Sequence, residues 1–268
     1  MFMTRAITAA LALAVFLAAL FYLPQQAWAL FLLIVLAIGS WEWGGLASFR
    51  GGGRVAYSVL IVVSALFLFY AFRQAPDTAR QFDVAAYALS CVFWVAVAPL
   101  WLARRWSIRN PLLLGTAGWI ALVPMWLALV RLQADPWALL TILSVVWIAD
   151  TAAYLAGKTW GRNKLAPAIS PGKTWEGAFG ALVAVTLYYG VLLVAAPGAR
   201  HFTGVLGLVV FAAILVLSIE GDLFESWMKR QVGVKDSGQI LPGHGGILDR
   251  IDGLTASVPA AALALYLR

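Results

Sequence analysis

Few acidic residues occur in this chain, and they are unevenly placed. Of 12 Asp and Glu, eight lie in residues 150–176 and 220–252, which together hold 16 of the 31 charged side chains. The second window runs from Ser218 through Glu220, Asp222, Glu225, Ser226, Lys229 and Arg230. Read as a helix, it puts Asp222, Glu225, Ser226 and Lys229 on one face by i, i+3, i+4, i+7 spacing. Next come Lys235-Asp236-Ser237-Gly238 and Leu241-Pro242-Gly243-His244-Gly245-Gly246. A glycine-rich loop of this kind brings backbone N–H groups close to a phosphate. It ends in Leu248-Asp249-Arg250-Ile251-Asp252, with Asp249 and Asp252 one helical turn apart. Carboxylates among Lys and Arg beside a glycine loop suit a metal–phosphate site. Mg²⁺ takes oxygen ligands, usually one or two carboxylates plus substrate phosphate. Basic side chains neutralise the phosphates.

Residues 169–177 read Ile-Ser-Pro-Gly-Lys-Thr-Trp-Glu-Gly. Gly172-Lys173-Thr174 looks like the end of a P-loop. The motif needs a glycine five residues before Gly172, where Pro167 stands, and no strand is expected ahead of it. Ser170, Lys173 and Thr174 nevertheless precede an apolar helix whose N-terminus offers free N–H groups to an anion. A plain N-cap role for Ser170 or Thr174 is the simpler alternative. Asp150 and Tyr154, spaced i, i+4, reach toward the same place, unless Asp150 pairs with Lys158 or Arg162. Glu225 and Arg230 read equally well as solvated helix-end charges. His244 has no Cys or second His beside it, which makes it a poor zinc ligand and a reasonable phosphate donor. A structural ion-pair network is the competing reading of the whole cluster, though buried pairs contribute little stability.

These groups must be positioned by apolar elements. The chain is 63% hydrophobic and only 12% charged, with a net charge of +7. A soluble fold of this length could not bury that much apolar surface, and disordered chains lack it. Cys91 is the single cysteine, which excludes a disulfide scaffold. An all-α polytopic membrane protein remains. Apolar runs long enough to cross a bilayer lie near 6–23, 27–48, 55–72, 84–103, 112–130, 136–157, 177–197, 202–219 and 247–267, nine in all. The first is read as a retained span, being long for a signal-peptide core.

With nine spans, 14 of the 19 Lys and Arg fall on one side. That side is the cytoplasm, so the N-terminus is cytoplasmic, the C-terminus outside, and both charged windows face the cytosol. The +7 is thus a topology signal rather than a sign of nucleic-acid binding. A single integral domain is expected, with residues 1–130 free of recognisable motifs and 131–268 carrying the site. Glu42, between Trp41 and Trp43, reads first as an interfacial residue with aromatic anchors and second as a functional intramembrane acid.

Several stretches together resemble the phosphatidate cytidylyltransferase (CDP-diacylglycerol synthase) family. They are Ser226-Trp227-Met228-Lys229-Arg230, Lys235-Asp236-Ser237-Gly238, 241–246, Leu248-Asp249-Arg250-Ile251-Asp252, Ser170 to Gly177, and Asp150-Thr151-Ala152-Ala153-Tyr154 with Gly157 and Gly161. The resemblance implies that CTP and phosphatidic acid give CDP-diacylglycerol and pyrophosphate. Mg²⁺ is implied as cofactor, with a second cation such as K⁺ beside it. Asp222 and Asp249 match the metal-binding acids, and Asp252 is a third candidate. Lys229 joins those two acids as a catalytic candidate. Ser170, Lys173, Thr174, Ser226, Arg230, Lys235, Asp236, His244, Gly245, Gly246, Arg250, Asp150 and Tyr154 are the candidate substrate contacts. A homodimer in the bacterial inner membrane, in contact with membrane lipids, would fit the family. The rivals are a CTP-dependent polyprenol kinase, which releases CDP instead of pyrophosphate, and an ion-coupled transporter. The transporter is disfavoured because the charge sits almost wholly in one half.

Overall fold

In a computed structural model, residues 2–71, 75–195, 201–240, 243 and 245–267 are described. His244 lies outside them, as do Arg73, Arg200 and Arg268 of the charge count and the Pro197-Gly198 break. The helices are α1 (Phe2–Tyr22), α2 (Gln25–Leu46), α3 (Gly51–Tyr70), α4 (Pro76–Val92), α5 (Ala98–Arg104), α6 (Pro111–Leu132), α7 (Pro136–Trp160), α8 (Trp175–Ala195), α9 (Gly204–Gln231) and α10 (Leu248–Tyr266). A π-helical turn, Phe93–Val97, joins α4 to α5 without a break. Pro99 follows it and has no N–H to offer the preceding turn, a known cause of such irregularity. The described residues therefore form nine helical rods.

Seven of these rods are long and apolar enough to cross a membrane, and Leu13–Tyr22 is a shorter apolar helix. The protein is a polytopic integral membrane protein. Helix α10 misses that group because Asp249, Arg250 and Asp252 occupy its first turns.

Local sequence sets the helix starts. Pro76, Pro111 and Pro136 occupy first turns, where no N–H is needed. Asn110 accepts hydrogen bonds from the N–H groups of Leu112 and Leu113, and Asp135 accepts one from Ala138. Helix α6 is buried along most of its length and forms the axis of the bundle. Indole and amide groups stitch the other helices to it. Trp43 Nε1 donates to Leu114 O at 2.8 Å, Trp28 Nε1 to Leu129 O at 3.1 Å, and Gln133 Nε2 to Leu23 O at 2.7 Å. Such donors need a partner where water is absent.

Two features depart from the sequence reading. Residues 164–174 are not a plain loop leading into a helix. Strand β1 (Lys164–Ala166) pairs antiparallel with β2 (Ser170–Thr174). The all-α architecture holds apart from this short hairpin, and Ser170 is a strand residue rather than an N-cap. The hairpin is held at its base by Glu176, which accepts from the Asn163 backbone at 3.1 Å and its amide at 2.8 Å. Thr174 does cap α8, accepting from Gly177 N at 3.1 Å. Secondly, the apolar run ending near residue 219 and the helix read over the following charged window are one continuous helix, α9, which runs three turns on to Gln231. Phe224 anchors this extension, fully buried among Trp43, Phe93, Trp94 and Trp101, with ring centroids at 5.3–6.3 Å.

Candidate active site

The helix ends that meet at one end of the bundle are those carrying the charged windows. A cleft of about 600 Å³ opens there. Helix α7 contributes Asp150 and Tyr154, and β2 contributes Ser170, Lys173 and Thr174. Helix α9 contributes Asp222, Ser226, Lys229 and Arg230, and α10 contributes Asp249, Arg250 and Asp252. Lys235 and Asp236 close it from the following loop. Gly245 and Gly246 sit behind the wall rather than on it. Every candidate side chain named from the sequence lines this space, apart from His244 outside the described residues.

Two lysine–carboxylate pairs dominate. Lys173 Nζ lies 2.6 Å from Asp222 Oδ2, which joins the hairpin to α9. Lys229 Nζ lies 2.6 Å from Asp249 Oδ1 and 3.3 Å from Glu225 Oε2, which joins α9 to α10. The i, i+4 face expected of residues 222–229 is present, since Ser226 Oγ donates to Asp222 Oδ1 at 3.2 Å. Glu225 is only 2% exposed, which overturns its reading as a solvated charge. Arg230 is exposed but not idle: it donates to Ile169 O at 3.4 Å and to Val234 O at 3.2 Å, tying the hairpin tip to the end of α9. Asp150 makes no ion pair with Lys158 or Arg162 among the described residues. It lies in electrostatic range of Lys173, Asp222 and Arg250. Lys158 instead lies over the Tyr154 ring, 5.6 Å from its centroid.

The donor set fits a divalent cation that also uses substrate oxygens. Asp222 has the freer carboxylate, with one lysine and one hydroxyl on it and a side chain 36% exposed. Asp249 Oδ2 already accepts from Ser237 N, Ser237 Oγ and Gly246 N at 2.8–3.0 Å, while Oδ1 faces Lys229. A carboxylate offers about four lone-pair sites, so Asp249 keeps one on Oδ1, beside Lys229, for a cation. Among the described residues no group of three or more His, Cys, Asp or Glu could hold a metal alone.

Sequence reasoning missed Ser237 and undervalued Glu42. Glu42 faces the protein interior near the end of α2. It is 2% exposed and accepts from Ile247 N at 3.2 Å, Leu248 N at 2.7 Å and Ser237 Oγ at 3.0 Å. The available signal was a lone acid inside an apolar span.

Fold and site together define a membrane-embedded protein with a cleft suited to phosphate-bearing ligands. Carboxylates and cations alternate in that cleft at the level of the helix ends. The chain belongs to the cytidylyltransferase family, whose pattern it matches over residues 3–268. It is 38% identical to a phosphatidate cytidylyltransferase of Pseudomonas aeruginosa, over 98% of this chain and 96% of that one. It is 34% identical to one of Haemophilus influenzae, over 95% of each. A relative in Brucella suis is 50% identical over 140 residues, half of this chain.

Proposed function

We propose that this protein transfers the cytidylyl group of CTP to phosphatidate. A phosphate oxygen of phosphatidic acid attacks the α-phosphorus of CTP in line. The bond from that phosphorus to the β-phosphate oxygen breaks, and CDP-diacylglycerol and pyrophosphate result. The observation that carries this reading is the convergence of both charged windows on one cleft in a chain of this family.

The residues divide the work by charge. Lys173, Lys229, Arg230, Lys235 and Arg250 attract the phosphates of two anionic substrates, with Ser170, Ser226 and Tyr154 as hydroxyl donors. Mg²⁺, held by Asp222 and Asp249 together with substrate oxygens, would supply further charge neutralisation as the phosphorus is attacked. The lipid phosphate is already ionised at neutral pH, so no strong general base is required. If the chain crosses the inner membrane nine times, the excess of Lys and Arg on the cleft side favours a cytoplasmic N-terminus and a cytoplasmic cleft, where CTP is dissolved. Phosphatidic acid then enters sideways between helices.

Detergent-purified protein with labelled CTP, phosphatidic acid and Mg²⁺ tests this reading. A labelled lipid and released pyrophosphate are expected. Release of CDP with a phosphorylated lipid would make it a kinase, and no labelled lipid would refute transfer. A cysteine placed at Lys235 should react with an impermeant thiol reagent from the cytoplasmic face only. Cys91 is the natural cysteine to replace beforehand.

A further inference from the structure

Helix α10 carries Asp249, yet its own sequence supplies no side-chain cap. Its first free N–H groups are taken by an acid 205 residues away in sequence, Glu42 near the end of α2. Three successive N–H groups are satisfied by two carboxylates. Gly246 N donates to Asp249 Oδ2, Ile247 N to Glu42 Oε1, and Leu248 N to Glu42 Oε2. Ser237 links the two acids, its hydroxyl 3.0 Å from Glu42 Oε2 and 3.0 Å from Asp249 Oδ2. The hydroxyl carries one hydrogen, so it donates to one acid at a time. Glu42 itself is held by its neighbour Trp43, which bonds to α6 at Leu114 O and stacks on Phe224.

Two glycines make room for this carboxylate. The nearest atoms that a Cβ at Gly238 would strike all belong to Glu42, starting with Oε1. A Cβ at Gly246 would lie 2.5 Å from Glu42 Oε2 and would also strike Ser237 Oγ. Neither glycine has a positive φ, so the backbone does not demand glycine there; the space does. An ordinary N-cap needs no such cradle, because a local Ser or Asp suffices.

We infer that Glu42 is a positioning residue for the transfer reaction. From the half of the chain without motifs, it fixes Ser237 and the Ile247–Leu248 start of α10, and thereby the direction of the Asp249 carboxylate. Gly238 is glycine in order to admit it. This rests on the proposed function. Groups that orient metal-binding or catalytic side chains typically contribute 10–100-fold to activity.

The test is a double-mutant cycle on the full-length protein in detergent. Glu42→Ala should lower kcat about 10–100-fold, with KM for CTP changed far less. Gly238→Ala should lose activity comparably. The double variant should be no worse than Glu42→Ala, because the atoms that Gly238→Ala strikes are gone. Glu42→Gln keeps one acceptor oxygen and should fall between wild type and Glu42→Ala, more than twofold below wild type. Without any ligand, hydrogen exchange over residues 245–250 should quicken in Glu42→Ala and Glu42→Gln, while that of α7 and α8 is unchanged. An active wild type with either Glu42 variant within twofold of it overturns the inference, as does a double variant whose losses multiply. If Glu42→Ala does not fold, the Glu42→Gln comparison decides. A wild type that makes no CDP-diacylglycerol overturns the proposed function itself, whatever the variants do.

Discussion

Asp222 and Asp249 differ in how much of each carboxylate is left for a ligand. Asp222 shares its oxygens with Lys173 and Ser226 and opens to the cleft, whereas Asp249 is fixed by four donors. Changing either to Asn is expected to abolish transfer while the protein still inserts and folds. Retention of near wild-type turnover at ordinary Mg²⁺ would refute their assignment as metal ligands. The two variants should differ in stability. Asp249→Asn places an amide NH₂ against the donors Ser237 and Gly246, or against Lys229, and leaves Glu225 as the sole carboxylate on that lysine. Asp222→Asn disturbs only a half-exposed pair, of a kind worth roughly 0–1 kcal/mol. Thermal midpoints should therefore fall further for Asp249→Asn. Lys173→Ala is expected to reduce CTP turnover by at least tenfold, in the range of a lost phosphate contact. If only the thermal midpoint moved, Lys173 would be no more than a brace for Asp222.

At the scale of elements, the hairpin and α9 are held in register by the close packing of α7 on α8. Small residues line that contact. A Cβ at Gly177 would lie 2.8 Å from Ala153 O, and one at Gly180 would overlap the Ala156 methyl. Close backbone approach of this kind is how helices associate where no hydrophobic force separates them from lipid. Gly180→Val should therefore cost about 1–3 kcal/mol by overpacking. It should also depress activity, because α8 carries the strand that presents Lys173. Gly190, on the same helix, faces open space, and Gly190→Val should change stability by no more than about 0.5 kcal/mol. Thermal midpoints and CTP turnover of the two variants, measured side by side, separate a packing effect from the intrinsic helix propensity of valine.

At the scale of the whole molecule, α10 is fixed at both ends by the N-terminal half. Glu42 holds its start. At its far end, Arg80 donates to Tyr266 O at 2.6 Å, and the Tyr266 hydroxyl lies 3.4 Å from Asp83 Oδ2. Asp83 is buried and pairs with Arg131 of α6 at 2.9 Å. The helices without motifs thus form a frame that sets the height and tilt of the helix bearing Asp249. Asp83→Ala would leave Arg131 without its partner in the bundle, at a cost of about 3–5 kcal/mol. Replacing both residues by leucine should cost less, as seen when buried ion pairs are exchanged for apolar side chains. Thermal unfolding of the two variants in one detergent checks the order. If Asp83→Ala proved the milder change, this cluster would not be part of the frame.

The sequence by itself determined that the protein lives in a membrane, because no soluble fold could bury its apolar surface. It also pointed to most of the charged residues that line the cleft, because charge is expensive near lipid and its rare positions are informative. The spacing of 222, 225, 226 and 229 was legible for the same reason: a helical repeat is a local property. Other features were not local. That this charged stretch continues the preceding span as one helix depends on Phe224 finding four aromatic partners from α2 and the α4–α5 rod. The hairpin at 164–174 depends on Glu176 and Arg230 holding its base and tip. The pairing of Lys173 with Asp222, and of Lys229 with Asp249, follows from how three elements cross. Glu42 shows the difference most clearly. Its type and its two tryptophan neighbours suggested an interfacial residue. Only the tertiary structure brought it against Ser237 and the start of α10, since a hydrogen bond spanning 205 residues leaves no trace in local spacing.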